Sequence, residues 1–133
     1  MIKSCATIAL VSEIKEGPWL YWDGPDISIP KAAKLGFDAV ELFTASADAV
    51  NPEQLEQLCD ANKIKIAAVG TGAGKVLHGL TLTSPDNHIR QRAVTFISEM
   101  ITFGARFGAP AIIGSMQGNV EPGIERVQAE VWL

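Results

Sequence analysis

The feature that most constrains the fold is a fourfold alternation of short apolar, β-prone runs with stretches of helical periodicity. The runs are IKSCATIALV at 2–11, DAVELF at 38–43, IKIAAVG at 64–70 and AIIG at 111–114. Apolar runs of this length suit parallel strands, whose faces are both covered. Helix signals lie between them. Asn51-Pro52-Glu53 supplies a cap, a first-position proline and a first-turn acid, and Ser84-Pro85-Asp86 is a second cap signature. Asp26 or Ser28 is expected to cap the first helix, with Pro30 in its first turn and Gly36 closing it.

The four expected helices carry apolar stripes. These are Ala32, Ala33 and Leu35 on the first and Leu55, Leu58 and Cys59 on the second. Ile89, Ala93, Phe96, Ile97, Met100 and Ile101 mark the third, which Gly108 and Pro110 end; Ile124, Val127, Val131 and Trp132 mark the fourth. TGAGKVLHGLTLT at 71–83 and SMQGNVEPG at 115–123 read as loops. The order β-α-β-α-β-α-β-α implies an α/β fold with a parallel sheet and right-handed crossovers, one domain over residues 1–133.

The net charge is −4, and the bases are scattered singly from Lys3 to Arg126. A phosphate backbone needs clustered Lys and Arg, so nucleic acid is not an expected partner. No run approaches the roughly 20 apolar residues of a membrane span. The first residues lack a small-residue cleavage site and run into Glu13 and Glu16, so they read as a strand rather than a leader. Two lone cysteines, Cys5 and Cys59, point to a reduced cytoplasmic protein and read as small core residues.

Three segments carry a family resemblance: KSCATIAL at the start, AAKLGFDAVELF, and LTLTSPDNHIRQRAVTFISEMITFGARFGAPAIIGSMQG. They resemble the sugar-phosphate isomerases and epimerases of the xylose isomerase-like (β/α)8 barrels. The resemblance implies a divalent metal (Mn, Mg, Co or Zn) held by two Glu, an Asp and a His near the ends of strands five to eight. It also implies a sugar or sugar-phosphate substrate, with the two Glu moving the proton. A whole barrel takes about 250 residues, so these 133 residues are expected to be its N-terminal half, about four βα units, without the metal ligands and inactive alone. Four parallel strands leave two open edges. Two copies can close the ring, with strand four of each against strand one of the other, so a homodimer is expected. A non-catalytic sugar-binding or assembly module of the same fold is the alternative. An endonuclease IV-like repair enzyme fits less well, since no His follows strand four.

Candidate substrate contacts follow from the rule that barrel enzymes work at the C-terminal ends of their strands. Glu41 is a carboxylate inside the apolar run VELF, placed either for substrate or for a structural ion pair. Gly70, Gly72 and Gly74 precede Lys75, but a phosphate loop needs four residues between its glycines and Ser or Thr after the Lys. Gly70 therefore opens a loop over the barrel mouth whose amides can reach substrate, and His78 lies in the same loop. Ser115, Gln117 and Gly118 follow strand four, where small and amide residues suit sugar hydroxyls. His88 is expected in solvent, and Trp19, Tyr21 and Trp22 in packing or an interface.

Overall fold

A computed structural model describes residues 2–14, 16–17 and 19–133. The Gly17-Pro18 pair reads as a turn in the sequence, and its Pro18 lies outside the described residues. Four strands, β1 (Cys5–Leu10), β2 (Ala39–Thr44), β3 (Lys65–Gly70) and β4 (Ala111–Ile112), lie side by side in that order, all parallel. Helix α1 (Pro25–Lys34) follows β1 and α2 (Pro52–Asn62) follows β2. Helices α3 (Ala73–His78) and α4 (Asn87–Ala105) follow β3, and α5 (Arg126–Trp132) follows β4. The pattern is an α/β half-barrel.

The packing explains which way each strand faces. Ile8, Val40, Leu42 and Val69 are fully buried, in one cluster with Ile29 and Ala32 of α1, Leu55 of α2, and Ala93, Ile97 and Met100 of α4. Each of the Val, Leu, Ile and Met side chains among them contributes about 1.5–3 kcal/mol by leaving water. Because strand side chains alternate, the intervening residues Thr7, Glu41 and Phe43 take the opposite, inner face. At the starts of β1 and β2, the Ser4 amide and the Ser4 hydroxyl both donate to Asp38 Oδ2, at 2.7 and 3.0 Å. These bonds hold the Asp38 carboxyl below the usual range.

On β3, Ile66 and Val69 both belong to the buried cluster although they are three apart. A register shift makes this possible: Val40 pairs with Ile66, but Glu41 pairs with Ala68. The extra residue reverses the alternation and delivers Gly70 to the inner face. β4 has only two residues and is fastened by Thr71, whose buried hydroxyl donates to the carbonyls of Ile112 and Ile113, both at 2.9 Å.

The outer edge of β1 is partly occupied. The Ala9 amide donates to the Tyr21 carbonyl at 2.8 Å and the Tyr21 amide to the Thr7 carbonyl at 3.4 Å, a parallel bridge made by the chain's own β1–α1 connection. One of the two edges expected to be open is thus shortened.

Several expectations are corrected. Helix α1 starts at Pro25, not beyond Asp26 or Ser28. Gly24 turns the chain at φ 83°, Pro25 supplies the first helical φ, and Pro30 falls inside the helix. Leu35 and Ile101 are exposed rather than part of the apolar stripes, and so are Val127 and Val131 of α5, where only Ala129 is buried. The 71–83 segment is not all loop, because α3 forms within it. The fourth strand ends at Ile112; Gly114, at φ 51°, turns the chain into a short 3-10 helix, Gly114–Gln117. Cys5, expected in the core, is exposed; Cys59 is buried, and both thiols are free. Asn51 and Gly36 do take the expected cap positions, and within the Ser84-Pro85-Asp86 signature the residue that caps α4 is Asp86.

Two substitutions test this packing in opposite directions. A Cβ at Gly104 would lie 2.5 Å from the Ala109 carbonyl oxygen and 3.0 Å from Val69 Cγ2. The first neighbour is backbone and cannot step aside, so Gly104→Ala should destabilise by roughly 1–3 kcal/mol in urea unfolding. Ser28 is fully buried and its Oγ has no hydrogen-bond partner among the described residues. Ser28→Ala should leave stability unchanged or raise it by about 1 kcal/mol.

Candidate functional site

The inner face gathers a small polar group toward the C-terminal ends of β1–β3. Glu41 is half-buried, and Thr7, its register partner on β1, donates its hydroxyl to Glu41 Oε2 at 3.5 Å, the outer limit of such a bond. The carboxylate leans along the strand: Oε1 lies 3.6 Å from where a Cβ on Gly70 would stand. Phe43 Cδ2 lies 3.2 Å from the same point, so glycine keeps the space beside the carboxylate open. Burial pushes the Glu41 carboxyl up, and the Thr7 hydroxyl only partly offsets it.

Above this group stands an aromatic wall. Trp19 stacks on Phe43 with ring centroids 4.6 Å apart and an interplanar angle of 29°. Trp22 meets Trp19 edge-on at 5.5 Å. Val11, Phe43 and Ala73 form a second buried cluster with Ile14, Trp19, Ala45 and Leu77 packed against it. The tryptophans therefore pack, as their sequence cluster suggested, and they pack at the mouth of the sheet.

Of the residues singled out from sequence, the structure joins Glu41 and Gly70 directly. Ser115 stands one step away, its Oγ 3.4 Å from the Cβ position of Gly72, which also touches Phe43. His78 does not join them. It is exposed at the end of α3 and lines a cleft with Arg92, Thr95 and Glu99 on the α4 side. Gln117 and Gly118 line a different cleft, with Thr83, Arg126 and Glu130. Gly118, at φ 89°, lies against Thr83, whose hydroxyl donates to the Asn119 carbonyl at 2.8 Å, so it closes a turn. His88 is exposed in the first turn of α4.

Sequence reasoning missed Thr7 and Phe43. Thr7 was visible as the one hydroxyl flanked by apolar residues in β1, but its pairing with Glu41 depends on register. Glu41 has no cationic partner among the ion pairs of the described residues, so its half-buried charge faces the inner surface alone. Those ion pairs lie elsewhere: Arg106 joins α4 to α2 through Glu53 at 2.9 Å and Glu56 at 2.8 Å, and Arg126 meets Glu130 within α5.

One carboxylate, one hydroxyl, a glycine and a phenyl ring do not fit a divalent cation, which takes several oxygen or nitrogen ligands. Among the described residues no three His, Cys, Asp or Glu side chains come together for that purpose. What the arrangement offers is a carboxylate that accepts hydroxyl hydrogen bonds beside a flat apolar surface. No helix among the described residues is long and apolar enough to cross a membrane.

The parallel half-barrel and its polar inner face define a barrel-type α/β protein. Residues 29–132 match the family model of the xylose isomerase-like TIM barrel, and the chain belongs to that family. No curated protein matches the chain.

Glu41 makes a pH-dependent contribution whose sign follows from its environment. Its folded-state carboxyl is raised above the ordinary value of 4.5. The folded chain therefore holds that proton more tightly than the unfolded chain does. Stability is full below 4.5 and falls as pH rises through the raised folded value. Glu41→Gln should remove that decline, so the variant gains on the parent in urea melts at neutral pH and not in acid.

Proposed function

We propose that this chain forms the sugar-binding part of an isomerase or epimerase that acts on sugar phosphates. The proton-transfer and metal-holding groups would come from strands outside these four, supplied by a second copy or by another polypeptide segment. The observation that carries the reading is the half-buried carboxylate of Glu41 on the inner face of a xylose isomerase-like barrel sheet, beside Gly70 and the Phe43–Trp19 stack. A carboxylate accepts hydrogen bonds from two vicinal hydroxyls, and an aromatic wall accepts the apolar face of a sugar ring.

In this reading Glu41 orients the substrate, Thr7 holds the carboxylate and Gly70 leaves room for the ring. Ring closure by two copies, β4 of each against β1 of the other, would complete the barrel. Because Tyr21 already bonds the outer edge of β1, closure requires the segment carrying Tyr21 to leave that edge. Sedimentation should then show a dimer at high protein concentration, and a monomer at every concentration would overturn the two-copy ring.

Calorimetry of the 133-residue protein with fructose 6-phosphate and xylulose 5-phosphate tests the site itself. Binding should be about millimolar, weaken roughly tenfold in Glu41→Gln, and occur without turnover when Mn2+ or Co2+ is added. Turnover by this chain alone would place the chemistry within it, and absence of heat with both phosphates would sink the sugar reading.

A further inference from the structure

A second cavity, of about 400 Å³, opens at the C-terminal end of β1 between the starts of α1 and α2. Its walls are Leu10, Val11 and Trp22 on one side, Asp26 of α1, and Val50, Asn51 and Gln54 on the other. Glu41, Gly70 and Ser115 are not among its lining residues. The volume falls in the range of small-molecule sites, about 300–1,000 Å³.

The chemistry of the walls narrows the ligand. Trp22 is 38% exposed, and its edge contact with Trp19, itself stacked on Phe43, holds the indole in place. Asn51 uses its side-chain oxygen to accept from the Gln54 amide at 3.0 Å, which leaves its NH2 as a donor. Among the described residues no hydrogen bond occupies the Asp26 carboxylate or the Gln54 side-chain amide, so both lining residues keep acceptors and donors for a ligand. Among the described residues its only charge is the negative one of Asp26, and none of the Lys or Arg among them lines it. The two helices that begin there are poor anion sites as well. Each has proline in its first turn, which brings no N–H, and the Gln54 and Ser28 amides are already bonded. A fixed indole, apolar Leu10, Val11 and Val50, and uncharged donors beside one carboxylate suit a ring with an apolar face and a rim of hydroxyls.

We propose that this cavity binds a neutral, unphosphorylated sugar, independently of the Glu41 site. The proposal draws only on the cavity and stands apart from the reading of Glu41 above.

The test is a titration of 15N-labelled protein with D-xylose and with D-xylose 5-phosphate, followed at the Trp22 indole and the Asn51 and Gln54 side-chain amides. The free sugar should give saturable shifts at those resonances with a dissociation constant of about 1–10 mM, and the phosphate ester should bind there roughly tenfold more weakly. Trp22→Ala and Gln54→Ala should each weaken the free sugar at least about threefold, and Glu41→Gln should leave it unchanged. Gln54 is exposed, so its variant keeps the fold if Trp22→Ala does not. Absence of saturable shifts with the free sugar, a phosphate ester that binds these residues more tightly, or full affinity in Gln54→Ala with loss in Glu41→Gln would each overturn the proposal.

Discussion

Ile8, Val40, Leu42 and Val69, sealed between the sheet and its helices, govern the rest of the molecule. A strand has two faces, and burying one set of residues commits the other set to the opposite side. With Val40 and Leu42 against the helices, Glu41 must stand on the inner face. The one charged side chain of the strand is thus placed by its apolar neighbours. Desolvation of its carboxylate is the cost of that placement, and Thr7 repays only part of it.

The register shift in β3 is the second decision that the site depends on. Regular alternation would have put Gly70 on the same face as Ile66. The extra residue between the pairs Val40–Ile66 and Glu41–Ala68 lets both Ile66 and Val69 reach the core. It thereby turns Gly70 toward Glu41. One core requirement, the burial of Val69 against α4 and Gly104, brings a glycine beside a carboxylate.

The β1–α1 connection unites the remaining features. Tyr21 bonds the outer edge of β1, Trp19 covers Phe43 at the mouth, and Trp22 leaves an indole wall on the neighbouring cavity. One short segment shields backbone groups, narrows the approach to the inner face and shapes a second concavity. An edge blunted in this way resists indiscriminate strand pairing.

Local chemistry alone settled the alternation of strands and helices, the cap at Asn51, a cap signature within Ser84-Pro85-Asp86, the left-handed close at Gly36, and the candidacy of Glu41 as a charge in an apolar strand. These depend on neighbours a few residues away, and periodicity records them. The short helix α3 and the early end of β4 escaped because a six-residue helix has too little periodicity and Gly114 turns the chain within an apolar run. Only the tertiary structure decided that Thr7 and Gly70 meet Glu41 while His78, Gln117 and Gly118 lie apart. Those pairings join residues some thirty positions distant, and they follow from strand register and one extra residue, which composition and spacing do not encode.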